Sequence, residues 1–510
     1  MPPLVEMVAP RPLVSESARL MTPALWVVFG VAVLVRVGLF PFAENKQADA
    51  PIRTLLAERM NDEPGAAADP RGFRQFGPLP IELIRPFLAV AGGGRWASRM
   101  PSLLAGLTVF LPFFSLARRL TGEATARALA GLALALAPVQ VQVSTTAATE
   151  ALYLLLLLAT LDRLHQAVSG RRRRDFVVAG LFGSLAAVTR YDMWLSLPFA
   201  GAAILVIGPR DRRALLDVAA FLSCAAVLPL AYLAWSLKAA GDPFFFAHHI
   251  TRDHANLAAA ARGRMGPVAA RGRQLAIWAI SFAAAMTPLP FFGLWGMPRA
   301  WRAASPATRV VLVTALGPIG VYLIQGLVLG EFEPLARFAV APGAVLLPLA
   351  CAWIVSRWGR RPRATLVALV ATLALAQSGV TEALAFAGPG RSWSGAESLG
   401  PLTRLDAEDR SLGAYLRAHR RPEEGVFIDP LGYSDIVVVE AAGIPIGKAA
   451  NLSSTRTPSP TLAAMRARTE ASWFAAHDAS WGRTPIPDWP RDGLRFGGWR
   501  LAHYWPGREP

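Results

Sequence analysis

Three arginines of this chain sit where an arginine is costly. Arg36, Arg190 and Arg337 each fall at the end of a long apolar run. A guanidinium at membrane depth must snorkel, pair with an acid or meet a ligand. Its planar fork matches the oxygens of a phosphate, to which it can donate two parallel N–H bonds. Glu150 follows a run of hydroxyl residues, Ser144, Thr145, Thr146 and Thr149, and opens the next apolar stretch. It is expected to pair with one of these arginines or with a substrate hydroxyl, although a carboxylate in the first turn of a helix also has a purely structural explanation. Tyr191 follows Arg190 in the segment Thr189-Arg190-Tyr191-Asp192. His249, Asp253 and His254 have the spacing of ligands on one helix face, which leaves a divalent metal open. A loop lying among headgroups accounts for them equally well. The chemistry these residues offer first is anion binding beside lipid.

The elements that must position them are hydrophobic. Long apolar segments start near Leu20, Met100, Arg127, Leu152, Phe176, Leu195, Leu215, Leu275, Val310, Phe338 and Leu366. Most are long enough to cross a bilayer core, which needs about 20 residues of helix. Arginine clusters lie between alternate pairs: Arg118-Arg119, Arg171 to Arg174, Arg210 with Arg212-Arg213, Arg299 with Arg302, and Arg357 with Arg360-Arg361-Arg363. The other short connections, around Ser144 and Glu331, are almost free of basic residues. Lys and Arg collect on the cytoplasmic side. The expected threading has the N-terminus in the cytoplasm, about eleven spans, and residues 388–510 outside the cell (inner) membrane. Arg36, Arg190 and Arg337 then gather on the outer face, against the positive-inside trend, which favours a phosphate site over simple anchoring.

Composition agrees. A mean hydropathy of +0.37 with 53% hydrophobic residues is the profile of an integral membrane protein. The net charge of +17 would point to nucleic acid in a soluble domain. Here the arginines sit at span ends, where they set orientation and meet anionic headgroups, so no nucleic-acid partner is expected. Cys224 and Cys351 both lie in apolar runs and imply neither a disulfide framework nor a metal site.

Two domains are expected: a transmembrane domain over residues 1–387, with an amphipathic first outer loop over 43–99, and a small extracytoplasmic α/β domain over 388–510. In the first outer loop Ile52, Leu55 and Leu56 repeat at helical spacing with Arg53, Glu58 and Arg59 on the other side, and Leu79 to Val90 repeats the pattern. Such pieces commonly lie flat on the membrane. In the C-terminal domain, Leu412, Tyr415 and Leu416 suit a helix and Val426-Phe427-Ile428 a buried strand. Asp435 to Ala442 and Thr461 to Arg468 suit further helices, and Trp499 to Tyr504 an end strand. It carries no phosphate loop, cysteine metal set or nucleophile elbow.

Several stretches together resemble a known family. Arg36 is followed by Asp49 and the helix Ile52 to Met60. Phe76-Gly77-Pro78-Leu79-Pro80 comes next, then Arg99-Met100-Pro101-Ser102-Leu103-Leu104-Ala105-Gly106 and Ala117-Arg118-Arg119-Leu120. Ala137-Pro138, Ser144, Thr149-Glu150 and Thr189-Arg190-Tyr191 follow in order, with Pro334 and Arg337-Phe338 later. In this order they resemble the GT-C class of integral-membrane glycosyltransferases. The likeness is to glycosyltransferase family 39, which holds the protein O-mannosyltransferases and the lipid A aminoarabinose transferases.

The resemblance implies a polytopic α-helical GT-C-like fold and transfer of a hexosyl or pentosyl group from a polyprenyl-phosphate donor. The acceptor is an extracytoplasmic hydroxyl on a lipid, glycan or protein. It implies Asp49 as the catalytic base, and Arg36, Glu150, Arg190, Tyr191 and Arg337 as substrate-binding residues. The family usually has an Asp-Glu pair in the first outer loop, whereas here Ala50 follows Asp49; Glu58, Asp62 or Glu63 could supply the second carboxylate. Two other functions stay open. A transporter or flippase of lipid-linked sugars would show inverted repeats and midplane breaks, which this sequence lacks. A non-catalytic envelope scaffold would fit the missing pair. The residues do not say which sugar moves.

Overall fold

The computed structural model describes residues 21–43, 49–73, 76–91, 96–208, 211–332, 334–359, 361–386, 407–428, 434–445, 448–451, 471–477 and 493–503. They form two compact units, each continuous in space but not in sequence.

The first unit comprises 1–43, 69–83 and 99–402 and is helical among its described residues. Its helices are α1 (Pro23–Leu39), α4 (Met100–Thr108), α5 (Phe110–Thr121), α6 (Ala124–Leu136), α7 (Pro138–Thr145), α8 (Glu150–Gly170), α9 (Arg173–Ala187) and α10 (Asp192–Ile207). They continue through α11 (Arg212–Ala240), α12 (Phe245–Met265), α13 (Pro267–Met286), α14 (Leu289–Ala303), α15 (Pro306–Leu323), α16 (Val340–Trp358) and α17 (Arg363–Phe386). Two more helices, α2 (Asp49–Asp62) and α3 (Pro78–Ala91), lie in the first loop. Side chains fix several helix starts. Asp211 accepts from the Ala214 N–H at 2.9 Å and Ser305 from the Thr308 N–H at 3.2 Å, with Pro306 in the first turn.

Six described stretches are long and apolar enough to cross a bilayer, or seven if α6 and α7, bent by 56°, count as one broken span. The runs expected near Leu20, Phe176, Leu195 and Leu275 are helices too, but too short or too polar to qualify. The qualifying spans divide by burial. Only 22% of the most apolar stretch of Arg363–Thr381 and 33% of that of α11 is buried, so their apolar surface is left for lipid. The corresponding stretch of α8 is 72% buried and that of Arg337–Trp358 67%. These two central spans both begin at charged residues, Glu150 and Arg337.

The break between α6 and α7 follows from Pro138. Proline has no N–H to offer the Leu134 carbonyl and pushes Ala137 out of the helical region, here to φ −61°, ψ 119°. The carbonyls left open need other donors. Arg36 supplies them, from Nη1 to the Ala135 oxygen at 3.0 Å and from Nη2 to that of Leu134 at 3.4 Å.

The second unit comprises 44–68, 84–98 and 403–510. It holds strands β1 (Gly425–Ile428), β2 (Ala449–Asn451), β3 (Ala471–His477), β4 (Leu494–Phe496) and β5 (Trp499–His503), with helices α18 (Ala407–His419) and α19 (Ser434–Ala442). The sheet order is β2-β1-β3-β5-β4, with β1 parallel to both neighbours and β5 antiparallel to β3 and β4. The helix expected over Thr461 to Arg468 lies outside the described residues; the other C-terminal elements form at the expected places.

The first-loop helix differs from expectation. Arg53, placed on a polar face by its spacing, is only 2% exposed, and Leu55 packs into the core formed by Leu412, Leu416, Val426, Trp473 and Trp499. The apolar stripe of α2 therefore finds the C-terminal sheet domain as its partner. Residues 44–68 and 84–98 group with that domain, where the sequence placed all of 43–99 with the spans.

Candidate active site

The turn after α9 is held by close backbone approach. A Cβ at Gly77 would lie 2.4 Å from the Val188 oxygen, so a side chain there would clash. The gap closed by this glycine lets the Leu79 N–H reach the Val188 oxygen at 3.2 Å. Tyr191 completes the clamp, donating its hydroxyl to the Phe76 carbonyl at 3.1 Å and stacking on Phe246 at 4.3 Å. Tyr191 thus serves the wall and is not among the residues lining the cavity beside it. Fixed by this clamp, Arg190 points toward the start of α8.

The cavity is lined by Glu150, Tyr153, Arg190, Asp192, Tyr322 and Arg337, with apolar side chains of α8, α15 and α16 around them. Arg190 donates Nε to Asp192 Oδ2 at 2.7 Å and Nη1 to Glu150 Oε1. Nη1 also lies 3.4 Å from Thr149 Oγ1. Arg337 Nε approaches the same Glu150 oxygen at 3.5 Å. The second oxygen of Asp192 accepts from the Tyr322 hydroxyl. Tyr153 and Phe338 turn their rings toward the Arg190 guanidinium, with centroids 5.8 and 5.5 Å away. Among the described lining residues, two cations face two carboxylates.

Tyr322 belongs to a second layer. Its ring stacks on Phe332 at 4.7 Å, and Phe332 stacks on His254 at 4.5 Å. The six residues after Tyr322 and Leu323, Ile324–Leu329, form a π-helical turn, a distortion frequent at functional sites. His254 is therefore engaged with an aromatic ring; the side chains of His249 and Asp253 lie outside the described residues, and no metal-holding group occurs among the described ones.

The other sequence candidates are not among the residues lining this cavity. Arg36 is completely buried at the α6–α7 break, beside Phe110 at 5.2 Å. Its three hydrogen bonds go to the backbone carbonyls of Ala32, Leu134 and Ala135, which corrects its assignment to the arginine group at the phosphate. Asp49 opens α2 in the second unit and accepts from Arg53 Nη2 at 3.5 Å. Glu58 lies on the same helix near Glu440, Asp62 and Arg417. Burial, reinforced by the Glu440 and Asp62 carboxylates, pushes its acid group up to about 7 against the opposing pull of Arg417.

Residues 77–235 match the model of the dolichyl-phosphate-mannose-protein mannosyltransferase family. Among solved structures, ArnT from Cupriavidus metallidurans bound to undecaprenyl phosphate superposes with a TM-score of 0.60 at 14% identity, over 94% of this chain and 98% of that one. The oligosaccharyltransferase AglB from Archaeoglobus fulgidus, in complex with an inhibitory peptide and a dolichol-phosphate, gives 0.55 at 12% identity, over 89% and 69%. No curated protein sequence matches the chain. The fold is that of the GT-C glycosyltransferases. The fold class expected from the sequence is thereby borne out.

Within this GT-C fold the family match contains Glu150, Arg190 and Asp192 but ends before Tyr322 and Arg337, so the cavity is completed by a part of the chain that the family model does not cover. Asp192 and Tyr322 escaped the sequence reading. Asp192 was visible as the acid two residues after Arg190. Tyr322 gave only the weak signal of one hydroxyl in an apolar helix.

Proposed function

We propose that this protein moves a sugar from a polyprenyl-phosphate donor to an acceptor hydroxyl, with the donor phosphate held by Arg190 and Arg337. The observation that carries this reading is that two guanidiniums, from distant parts of the chain, line one cavity and converge on a single carboxylate oxygen. A point where two arginines meet on one oxygen is a point where a phosphate oxygen fits. In the reaction the acceptor oxygen attacks the anomeric carbon and the bond to the phosphate oxygen breaks. The polyprenyl phosphate leaves with that electron pair, and the arginines stabilise its growing charge. A base takes the acceptor proton. Asp49 is that base on the family resemblance, with Glu58 as the second carboxylate.

In this reading the chain threads about eleven times through the cell (inner) membrane. The N-terminus is cytoplasmic, and the C-terminal sheet domain and the active site are extracytoplasmic. ArnT was solved with undecaprenyl phosphate and AglB with a dolichol-phosphate and a peptide, which supports a lipid-phosphate donor here.

The test is release of polyprenyl phosphate from a radiolabelled lipid-linked sugar by the purified protein in lipid. Asp49→Asn should keep donor binding and lose about 10²–10⁴-fold in transfer, with Glu58→Gln costing less. Undiminished transfer by folded Asp49→Asn would end the claim for Asp49. Absence of any phosphate release by the wild-type protein, across hexosyl and pentosyl donors, would end the transferase reading itself.

A further inference from the structure

The four charges of the cavity are not equivalent. Asp192 is held through both oxygens, one by Arg190 Nε at 2.7 Å and one by the Tyr322 hydroxyl. Glu150 Oε1 lies against both arginines, and its Oε2 is 3.5 Å from Thr149 Oγ1. Asp192 is built in as a brace; Glu150 sits as an anion between two cations. Both carboxylates are nearly buried, Glu150 with 3% and Asp192 with 14% of its side chain exposed.

We infer that Glu150 is an internal competitor for the donor phosphate: its Oε1 occupies the seat of one phosphate oxygen and must give up that seat when the lipid phosphate binds. This rests on the reading of the cavity as the phosphate site. The reason is charge. With two arginines and two carboxylates the described lining carries no net charge, so a phosphate added to the intact set would bury an uncompensated negative charge, which is expensive at low dielectric. Withdrawal of Glu150 removes that cost, because the same two guanidiniums then face a phosphate oxygen in place of the carboxylate. Asp192 stays, keeping Arg190 oriented. The same competition favours release of the product, since Glu150 returns to its arginines as polyprenyl phosphate departs.

Binding of undecaprenyl phosphate to the full-length protein in lipid nanodiscs tests this, with folding of each variant checked by thermal melting. Glu150→Gln removes the competing charge and keeps the shape, and should bind the lipid phosphate more tightly, on the order of tenfold. Glu150→Asp, one methylene shorter, keeps the charge but cannot reach both arginines, and should bind more tightly by a smaller factor. It also serves if the glutamine variant does not fold. Asp192→Asn should bind more weakly, as Arg190 loses its brace. If Glu150→Gln or Glu150→Asp binds more weakly than wild type, or equally, Glu150 is a positioning residue and the competitor role is overturned. If Arg190→Ala and Arg337→Ala both bind as well as wild type, the phosphate lies elsewhere, and the failure belongs to the site assignment instead.

Discussion

Arg36 and Arg190 look alike in sequence, each a lone cation at the end of an apolar run, yet the structure employs them in opposite ways. Arg36 gives its donors to backbone carbonyls left open by a proline break. Those acceptors are fixed and uncharged, and nothing that binds could replace them. Arg190 gives its donors to side-chain carboxylates at the wall of a cavity. Carboxylates move, and an anionic ligand can take their place. What distinguishes a structural from a functional buried arginine here is its partners, not its burial, since both are well shielded.

The strongest way to break this comparison is to change the geometry of each cation while keeping its charge. Arg190→Lys should lower sugar transfer about 10²–10³-fold, the scale of losing an aligned donor to a developing anion, because an ammonium cannot serve Asp192, Glu150 and a phosphate together. Its melting temperature should stay near wild type. Transfer assays and melts on one preparation decide it. A lysine variant with full activity would reduce Arg190 to the structural role of Arg36.

Arg36→Gln should show the reverse. It withdraws donors from buried carbonyls, at a cost of about 1–3 kcal/mol per unsatisfied group, and should lower the thermal midpoint while leaving transfer per folded molecule within about twofold. A specific loss of transfer at unchanged stability would move Arg36 back to the substrate.

These cases also show how far sequence carries. Ionisable residues in apolar segments are conspicuous, so Arg190, Glu150 and Arg337 could be picked out without coordinates. Their partners could not. The Arg36 acceptors Leu134 and Ala135 lie nearly a hundred residues away. Tyr322 meets Asp192 across 130 residues, and a tyrosine in an apolar helix has many ordinary uses. The helical period of α2 was readable, but period says only that a stripe will be buried. It cannot tell a membrane from the hydrophobic face of a sheet domain that is more than 350 positions away in the chain.

Glu58 is a third kind of buried charge, one whose nearest carboxylates repel it. Its acid group is raised from an ordinary 4.5 to about 7. Between those values the folded protein holds a proton that the unfolded chain has lost, so stability falls as pH rises from about 4.5 to 7 and levels off above. The expected change is on the order of 2 kcal/mol, confined to the second unit. Amide exchange over Asp49–Asp62, corrected for intrinsic rates, should show protection decreasing across this range in the wild type and not in Glu58→Gln. Protection that rises with pH would invert the assignment.

The smallest expected effect isolates the brace on Arg190. Tyr322→Phe removes one hydroxyl and keeps the ring that stacks on Phe332 at 4.7 Å, so packing should survive. Asp192 then keeps its contact with Arg190 in the cavity and loses one charge-assisted hydrogen bond, worth about 1.5–3 kcal/mol. Because Tyr322 acts through Asp192 and then Arg190, only part of that should reach the reaction, and a loss of about three- to tenfold in kcat/KM is expected. The loss should disappear in an Arg190→Lys background, where the aligned fork that the brace maintains no longer exists. If Tyr322→Phe and Arg190→Lys instead multiply independently, Tyr322 contacts the substrate directly, and the hydroxyl belongs to the site itself.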